Sequence, residues 1–515
     1  MVSSHQDGPV VLPEDTPLLG THPISENHAS REFTPVTLII FPALAYRLAT
    51  TLPATTTVGI VKNIVCRQYY LSHDPDRIPS SGQMPSELCM DPNVKEIFSG
   101  TMTVLMILAA LGSMFAISLL NYFTSRHGRK PGLLILIALQ MISVSSLILS
   151  TYSPPLVELV LLVVFVLGDS ISNLTIGTFL INLYIVDVVS SDKRTSTLSS
   201  ILGWTVTGGA IAFSIGGTLT SRSHNALLVF WVSLTIMFLN FLFVLFIVPE
   251  SFSKDRRIEL RREREEQQAK RASNSRRLDS ALGPFQQLKP TINSQTGRRN
   301  WRLVLCAVHG FLTELGTSAA VTNMVTYVTA IYDYQASTTG YMMTMVSIVS
   351  IVVLTIAIPF AVRRLLPFYK RRYLSSTNQE DPSARDRLDV HVTIFSLVCE
   401  GFASILFGRA TNIGGHTVAL MFWGVGAGRA PVFRSIVAAS VEPLKQGSTL
   451  SAVELVSSVG SSISPMMMGS ILTATIATMP SFVFSINALI IFLASSVLLF
   501  IRESDRYRKP DEDSE

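Results

Sequence analysis

The chain contains a series of apolar blocks, each about as long as a helix that crosses a bilayer, and this pattern constrains its fold more than any other feature. The hydrocarbon core is about 30 Å thick, which takes about 20 apolar residues in helical form. Because lipid offers the backbone no hydrogen bonds, each block must be an α-helix. We count twelve spans: 35–57, 100–121, 132–152, 156–187, 198–220, 226–249, 303–330, 340–362, 391–409, 416–440, 449–475 and 480–501. The sequence therefore predicts an all-α membrane protein with twelve transmembrane helices.

Composition excludes several other classes. Of the 515 residues only 15% are charged, whereas a soluble globular protein has about 25%. The net charge is +5, but the basic residues cluster between apolar blocks, so we expect no nucleic-acid partner. The polar segment from Met1 to Arg31 has no apolar core typical of a cleavable signal peptide. No P-loop, metal-ligand cluster or nucleophile–base set is recognisable, and we predict neither an enzyme, nor a cofactor, nor a metal site.

Polar segments divide the chain and indicate its orientation. The expected regions are an N-terminal tail 1–33, a six-helix bundle 34–250, a linker 251–300, a second six-helix bundle 301–502 and a C-terminal tail 503–515. Loops near 153, 335 and 478 contain no basic residue and alternate with strongly basic loops. The basic loops contain Arg126, Arg129, Lys130, Lys193, Arg194 and five residues between 363 and 372. Since cytoplasmic loops are enriched in Lys and Arg, we expect both termini and the linker to be cytoplasmic.

One long loop, expected from about Lys62 to Ser99, lies on the opposite side and contains Cys66 and Cys89. Two cysteines that face an oxidising compartment can form a disulfide, which we predict here. Two free thiols, or a bond to another partner, are the alternatives.

The loop after the second span reads Asn121-Tyr-Phe-Thr-Ser-Arg126-His-Gly128-Arg129-Lys130. It resembles the signature loop of the major facilitator superfamily, G-x-x-x-D-R-x-G-R-K, at the equivalent place. This resemblance implies two six-helix bundles around a central cavity, and a cytoplasmic gate in which the basic residues pair with carboxylates. The expected gate residues are Arg126, Gly128, Arg129, Lys130, Asp187 and Arg194. Ser125 replaces the Asp of the motif, which puts the usual gate salt bridge in doubt.

Shorter motifs resemble one branch of that superfamily. They are Tyr184 to Asp187, Gly216-Gly217, Pro431 to Arg434, and Gln446 to Ser451. They are similar to the group of the proton-coupled folate transporter and of fungal general-substrate carriers. The resemblance implies that His309, early in span seven, supports proton coupling. Span five lacks the glutamate that the group uses there, and it also lacks the Gly-Pro signature of drug antiporters.

Ionisable and polar groups within the spans are site hypotheses, because a charge at bilayer depth costs about 2.5–3.5 kcal/mol on insertion scales. Glycines and a proline around Arg429 and Arg434 loosen span ten, so these arginines could bind an anionic solute, or could pair statically with Asp169, Glu314 or Glu400. The predicted cavity set is Arg47, Asp169, Asn173, His309, Glu314, Asn323, Glu400, Arg429 and Arg434.

Helical spacing sorts some of these residues. In span seven, a stripe of small and polar residues contains His309, Thr313, Gly316, Ala320, Asn323 and Tyr327. It suits a water-filled cavity, and Glu314 points about 140° away from it at 100° per residue. A polar track along span four is expected to join Asp169, Asn173 and Asp187. His309 is either a proton-carrying residue or a hydrogen-bonded packing residue.

These observations predict secondary active transport of a small organic solute by alternating access, with a preference for anions and with proton coupling as a further hypothesis. We expect a monomer in contact with membrane lipid. The rival functions are an exporter of drugs or secondary metabolites on the same fold, and a receptor or scaffold that does not transport. We expect the plasma membrane as the location, since an acidic dileucine pattern at 14–19 is weak support for a vacuolar or lysosomal one.

Overall fold

The computed structural model describes residues 27–79, 84–189, 191–223, 225–251, 288–292, 299–373, 383–441, 446–502 and 505–506. Their helices form twelve transmembrane segments in two bundles, as predicted. The first bundle contains α1 (Asn27–Thr51), α2 (Ala54–His73), α3 (Pro92–His127), α4 (Arg129–Ser150), α5 (Pro155–Ser172), α6 (Leu174–Val188), α7 (Ser191–Ser223) and α8 (Leu227–Phe246). The second contains α9 (Arg302–Thr317), α10 (Ala320–Ile331), α11 (Ala336–Val352), α12 (Ile358–Tyr373), α13 (Ser383–Arg409), α14 (Ile413–Val425), α15 (Arg429–Ala438), α16 (Gln446–Thr475) and α17 (Phe482–Leu498).

Nine helical stretches of the described residues are long and apolar enough to cross a membrane by length and composition. Their outward faces carry large apolar side chains; on α5, for example, Leu156, Val160 and Leu167 are exposed, while Glu158 and Ser170 are buried. A soluble protein would bury the apolar face, so this inversion is what a lipid environment requires.

The twelve segments can be divided in chain order into four groups of three. The first segment of each group, which is segment one, four, seven or ten, is broken near its middle. The breaks lie at Leu52–Pro53 between α1 and α2, at Asn173 between α5 and α6, at Ser318–Ala319 between α9 and α10, and at the 3₁₀ turn Gly426–Gly428 between α14 and α15. Interrupted helices release backbone groups at membrane depth, which is tolerated where protein or a cavity surrounds them. Segments one, four, seven and ten are therefore the ones suited to line a central site.

Several expected boundaries need correction. The loop expected from Lys62 to Ser99 spans only residues 74–91, because α2 restarts after Pro53 and runs to His73. The apolar side chains of α2, such as Val61 and Ile64, pack in the protein core. This helix therefore extends segment one although its sequence is not an apolar block long enough to cross a bilayer. Segment eight likewise continues through a π-helical turn, Val353–Ala357, into the basic helix α12.

The expected linker 251–300 is described at residues 251, 288–292 and 299–300, where β1 (Thr291–Ile292) pairs with β2 (Arg299–Asn300) in antiparallel register. The rest of the linker, residues 1–26 of the N-terminal tail and most of the C-terminal tail lie outside the described residues. We call the end of the bundles beside this hairpin and the α3–α4 turn the linker end. The opposite end, beside Cys66 and Cys89, is the disulfide end.

Candidate functional site

A cavity of about 80 Å³ lies within the second bundle, between α9, α15 and α16. A buried water needs only about 10–15 Å³ on this measure, so the cavity can hold several waters among its polar walls. Its charged and titratable lining residues are His309, Glu314, Arg429, Arg434 and Glu454. Four of the nine residues predicted for the cavity therefore meet here.

Arg429 forms an ion pair with Glu400, the closest approach being 2.9 Å between Nε and a carboxylate oxygen. The Glu400 side chain is 3% exposed and the Arg429 side chain 19%. The Arg429 Nη2 also donates to Thr317 Oγ1 at 2.8 Å. A side chain at Gly426 would clash with Glu400, since an ideal Cβ there would lie 2.1 Å from the Glu400 Cγ. The static pairing that the sequence left open is thus present for Arg429, and glycine at 426 makes room for it.

Glu314 faces the same cavity, within electrostatic range of Arg429, Arg434 and Glu454. Glu314 is therefore a second carboxylate near Arg429, whose charge Glu400 already neutralises. Helical spacing placed Glu314 and His309 on different faces of α9, yet both line the cavity. The cavity extends along the side of α9 that faces α15 and α16 and so reaches both residues.

His309 is 1% exposed and forms a hydrogen bond through Nδ1 to the carbonyl of Ala494 at 2.8 Å. A carbonyl only accepts, so Nδ1 carries a hydrogen and the lone pair of the neutral ring lies on Nε2. The ring packs on Phe433, with centroids 4.6 Å apart. The histidine is therefore a packed residue that also forms part of the cavity wall.

The stripe on segment seven borders the cavity at His309 and Thr313, while much of it packs against neighbouring helices. His309 contacts α17 through Ala494, Gly316 faces Ile490 and Ile491 of the same helix, and Tyr327 packs on Phe484. Small residues at helical spacing allow close helix packing in membranes, and this packing explains the stripe. Asn323 is buried, and its Oδ1 has no hydrogen-bond partner among the described residues.

Arg434 pairs with Glu454 at 2.9 Å, and the two side chains are 56% and 54% exposed. The pair lies at the linker-end mouth of the cavity. For a static pair, the expected partners of Arg434 were Asp169, Glu314 and Glu400. Its partner in the structure is Glu454 of α16.

The predicted residues of the first bundle are not clustered. The Arg47 guanidinium lies against Gly209 of α7, and its Cγ lies near Gly208. Asp169 accepts a long hydrogen bond, 3.4 Å, from Gln140 of α4. Asn173 caps α6 by accepting from the amide of Thr175. None of these three side chains is hydrogen-bonded to another of them among the described residues.

The expected polar track along segment four is therefore interrupted. Asn173 adopts an extended ψ of 172° between α5 and α6. This break resets the helical phase, so Asp169 and Asp187 do not follow one continuous face. Asp187 instead pairs with Arg129 at the linker end.

That pair is the centre of the signature loop. Arg129 Nε donates to Asp187 at 2.7 Å, and its backbone amide donates to Glu250 at 2.7 Å. Gly128 has a φ of +112°, and a Cβ there would clash with the Glu250 carboxylate. Glu250, which the sequence did not single out, thus accepts from the first amides of α4, where a negative charge is favourable.

The other expected gate residues contribute less to this cluster. Arg126 is exposed and contacts Tyr122 of its own helix, and the Lys130 amide donates to Glu250 at 3.3 Å. The side chains of Arg194 and Ser125 lie outside the described part of the structure.

The disulfide end holds the two bundles together. Lys62 of α2 is buried and reaches across to the second bundle, where its Nζ lies 2.5 Å from Asp333 and 2.9 Å from the carbonyl oxygen of Thr329. The Thr473 hydroxyl of α16 lies 3.1 Å from that of Thr103 and 3.2 Å from that of Ser99, both on α3. These contacts close the space between the bundles at this end.

The structure joins Cys66 to Cys89, with Cα atoms 5.4 Å apart. Sequence reasoning missed Lys62, because the boundary of span one placed it in a loop. It also missed the buried Glu158, which pairs with Arg67 near the same end. A lysine directly after an apolar run was the available signal for Lys62.

Comparison with known proteins agrees with this architecture. The profile of the Major Facilitator Superfamily matches residues 84–376. The chain is 34% identical over 410 residues to Major facilitator-type transporter psiT1 of Psilocybe cyanescens, covering 75% of this chain and 87% of that protein. The chain therefore belongs to the major facilitator superfamily, and it is a secondary transporter rather than an enzyme.

Solved structures share the fold at low identity. A D-xylose-proton symporter superposes with a TM-score of 0.58 at 15% identity, covering 92% of this chain and 98% of the other. The human organic anion transporter MFSD10 (TETRAN) gives a TM-score of 0.54 at 16% identity, covering 91% and 99%.

Proposed function

We propose that this transporter carries a small organic anion through the space between its bundles, coupled to protons that bind at Glu314 and His309. The observation that carries the proposal is the excess carboxylate in the cavity. Glu400 already neutralises Arg429, so an ionised Glu314 adds a net negative charge at membrane depth. A proton on Glu314 removes that charge, and a carrier can exploit this because charge in the membrane is costly.

His309 offers a second proton acceptor in the same wall. Its Nδ1 hydrogen bond to Ala494 leaves Nε2 as the basic nitrogen. The two groups could therefore exchange a proton through cavity water.

The basic-loop pattern favours an orientation with the linker end in the cytoplasm. The contacts of Lys62 and Thr473 join the bundles at the opposite end, while Arg434 and Glu454 are exposed at the linker end. We infer an inward-facing state with a plasma-membrane location and a monomeric carrier. The disulfide then faces the oxidising exterior. The likeness to an organic anion transporter and to a proton symporter rests on the fold alone and supports the proposal only as an analogy.

The test begins with a comparison of metabolite uptake by cells that express the wild type and by cells that lack the transporter, to find a transported solute. Reconstituted protein then carries that solute with and without an acid-outside gradient. We expect the gradient to accelerate uptake several-fold in the wild type, and Glu314→Gln and His309→Ala to lose the acceleration. Glu454→Gln is the matched control. Glu454 lines the same cavity but is already paired with Arg434, so its replacement should leave the acceleration in place. Equal rates with and without the gradient would contradict proton coupling, and a gradient that drives efflux would favour the exporter.

A further inference from the structure

Arg47 is an intramembrane cation that has no ion-pair partner among the residues that the structure describes. Its Nε is buried and has no hydrogen-bond acceptor among the described residues. The guanidinium lies against α7, where an ideal Cβ on Gly209 would be 3.0 Å from Nε and 3.1 Å from Nη2. A Cβ at 209 would push the guanidinium aside by a few tenths of an ångström, so the glycine lets it lie close to α7.

The three intramembrane arginines of the predicted cavity set differ in charge balance. Arg429 pairs with Glu400, and Arg434 pairs with Glu454. Arg47 has no ion pair among the described residues, and Asp169 of the same bundle is instead bonded to Gln140. Charge at membrane depth is costly, so an anionic group from outside the protein is the natural counter-ion for this half-buried arginine.

The position of Arg47 matches the level of the cavity. Arg47 precedes the break at Leu52–Pro53 of segment one by five residues, and Thr313 precedes the break at Ser318–Ala319 of segment seven by five. These segments occupy equivalent places in the two bundles. Thr313 and the adjacent Glu314 line the cavity, so Arg47 sits at the corresponding depth in the first bundle.

We propose that Arg47 binds the single oxyanion group of the transported solute, a carboxylate or a phosphate ester. The inference rests on the proposed function and specifies its substrate class. A guanidinium presents a fork of N–H donors that matches two oxygens of such a group. Arg434 already has a carboxylate partner and is not the anchor.

The first test needs no ligand. Purified full-length Arg47→Met and Arg429→Met are compared with the wild type by thermal unfolding in detergent. We expect Arg47→Met to melt at or above the wild-type temperature, because it removes an uncompensated charge. Arg429→Met should melt lower, because it leaves Glu400 unpaired. If Arg47→Met loses as much as Arg429→Met, Arg47 has a structural partner and the inference is wrong.

The second test uses benzoate and phenyl phosphate as anionic probes and benzamide as the neutral match. We expect both anions to raise the melting temperature of the wild type, and Arg47→Met to need at least tenfold more anion for the same rise. Arg434→Met should stay within twofold of the wild type, and benzamide should have no effect. A wild type that neither anion stabilises, or anion stabilisation that survives in Arg47→Met, overturns the proposal. Loss of anion binding in Arg47→Met together with transport that ignores a pH gradient would refute proton coupling and leave the anion site intact.

Discussion

Replacement of Arg429 by Met should strand a buried carboxylate, and its effect can be sized from the geometry. The Glu400 side chain is 3% exposed and receives two contacts from Arg429 Nε, at 2.9 and 3.1 Å. Breaking such a pair on one side costs about 3–5 kcal/mol, because the remaining charge stays buried. For a bundle of about 200 residues, at about 2–4 °C per kcal/mol, the melting temperature should fall by about 6–20 °C.

The double variant Arg429→Met/Glu400→Met separates this effect from a loss of packing. It removes both charges, so we expect it to melt close to the wild type and well above either single variant. The measurement is a double-mutant cycle by thermal unfolding of the purified protein. Single losses that simply add in the double variant would refute the reasoning, since they would mean that Glu400 does not depend on Arg429.

The pair of Arg434 and Glu454 is the internal control. Both side chains are more than half exposed. Exposed pairs are worth about 0.2–1 kcal/mol, so Arg434→Met should barely change the melting temperature. A loss as large as that of Arg429→Met would show that exposure does not govern these energies.

Three further changes test other parts of the fold. The double variant Ser99→Cys/Thr473→Cys should form a disulfide on oxidation, which holds the disulfide end closed and stops transport in a flux assay. Either single variant should still transport. Continued flux after cross-linking would exclude opening at this end. Gly128→Ala should cost about 1–3 kcal/mol in an unfolding assay because of its positive φ and the Glu250 carboxylate, and a neutral result would mean that the turn adapts. Cys66→Ser should lose about 3 kcal/mol, the loop-closure value for a separation of 23 residues from Cys89; a melting temperature equal to that of the oxidised wild type would argue against a stabilising bond.

The structure also revises how the segment-seven stripe should be interpreted. Small and polar residues at helical spacing are equally suited to a wet cavity and to close helix contact, and sequence alone does not distinguish these uses. His309 and Gly316 contact α17, so this part of the stripe is a packing surface. His309 and Thr313 also border the cavity, together with Glu314 of the neighbouring face.

The sequence by itself determined that the chain crosses the membrane twelve times, where the basic loops lie, and which charged groups sit at membrane depth. These features follow from local properties, since each apolar block must satisfy its own backbone hydrogen bonds and each charge is costly wherever the fold places it. Only the tertiary structure decided the partners. Arg429 finds Glu400 at a separation of 29 residues and Lys62 finds Asp333 at 271. Such pairs depend on how separate helices pack, and helical periodicity is lost at a break such as Asn173, so no spacing rule within one segment could have predicted them.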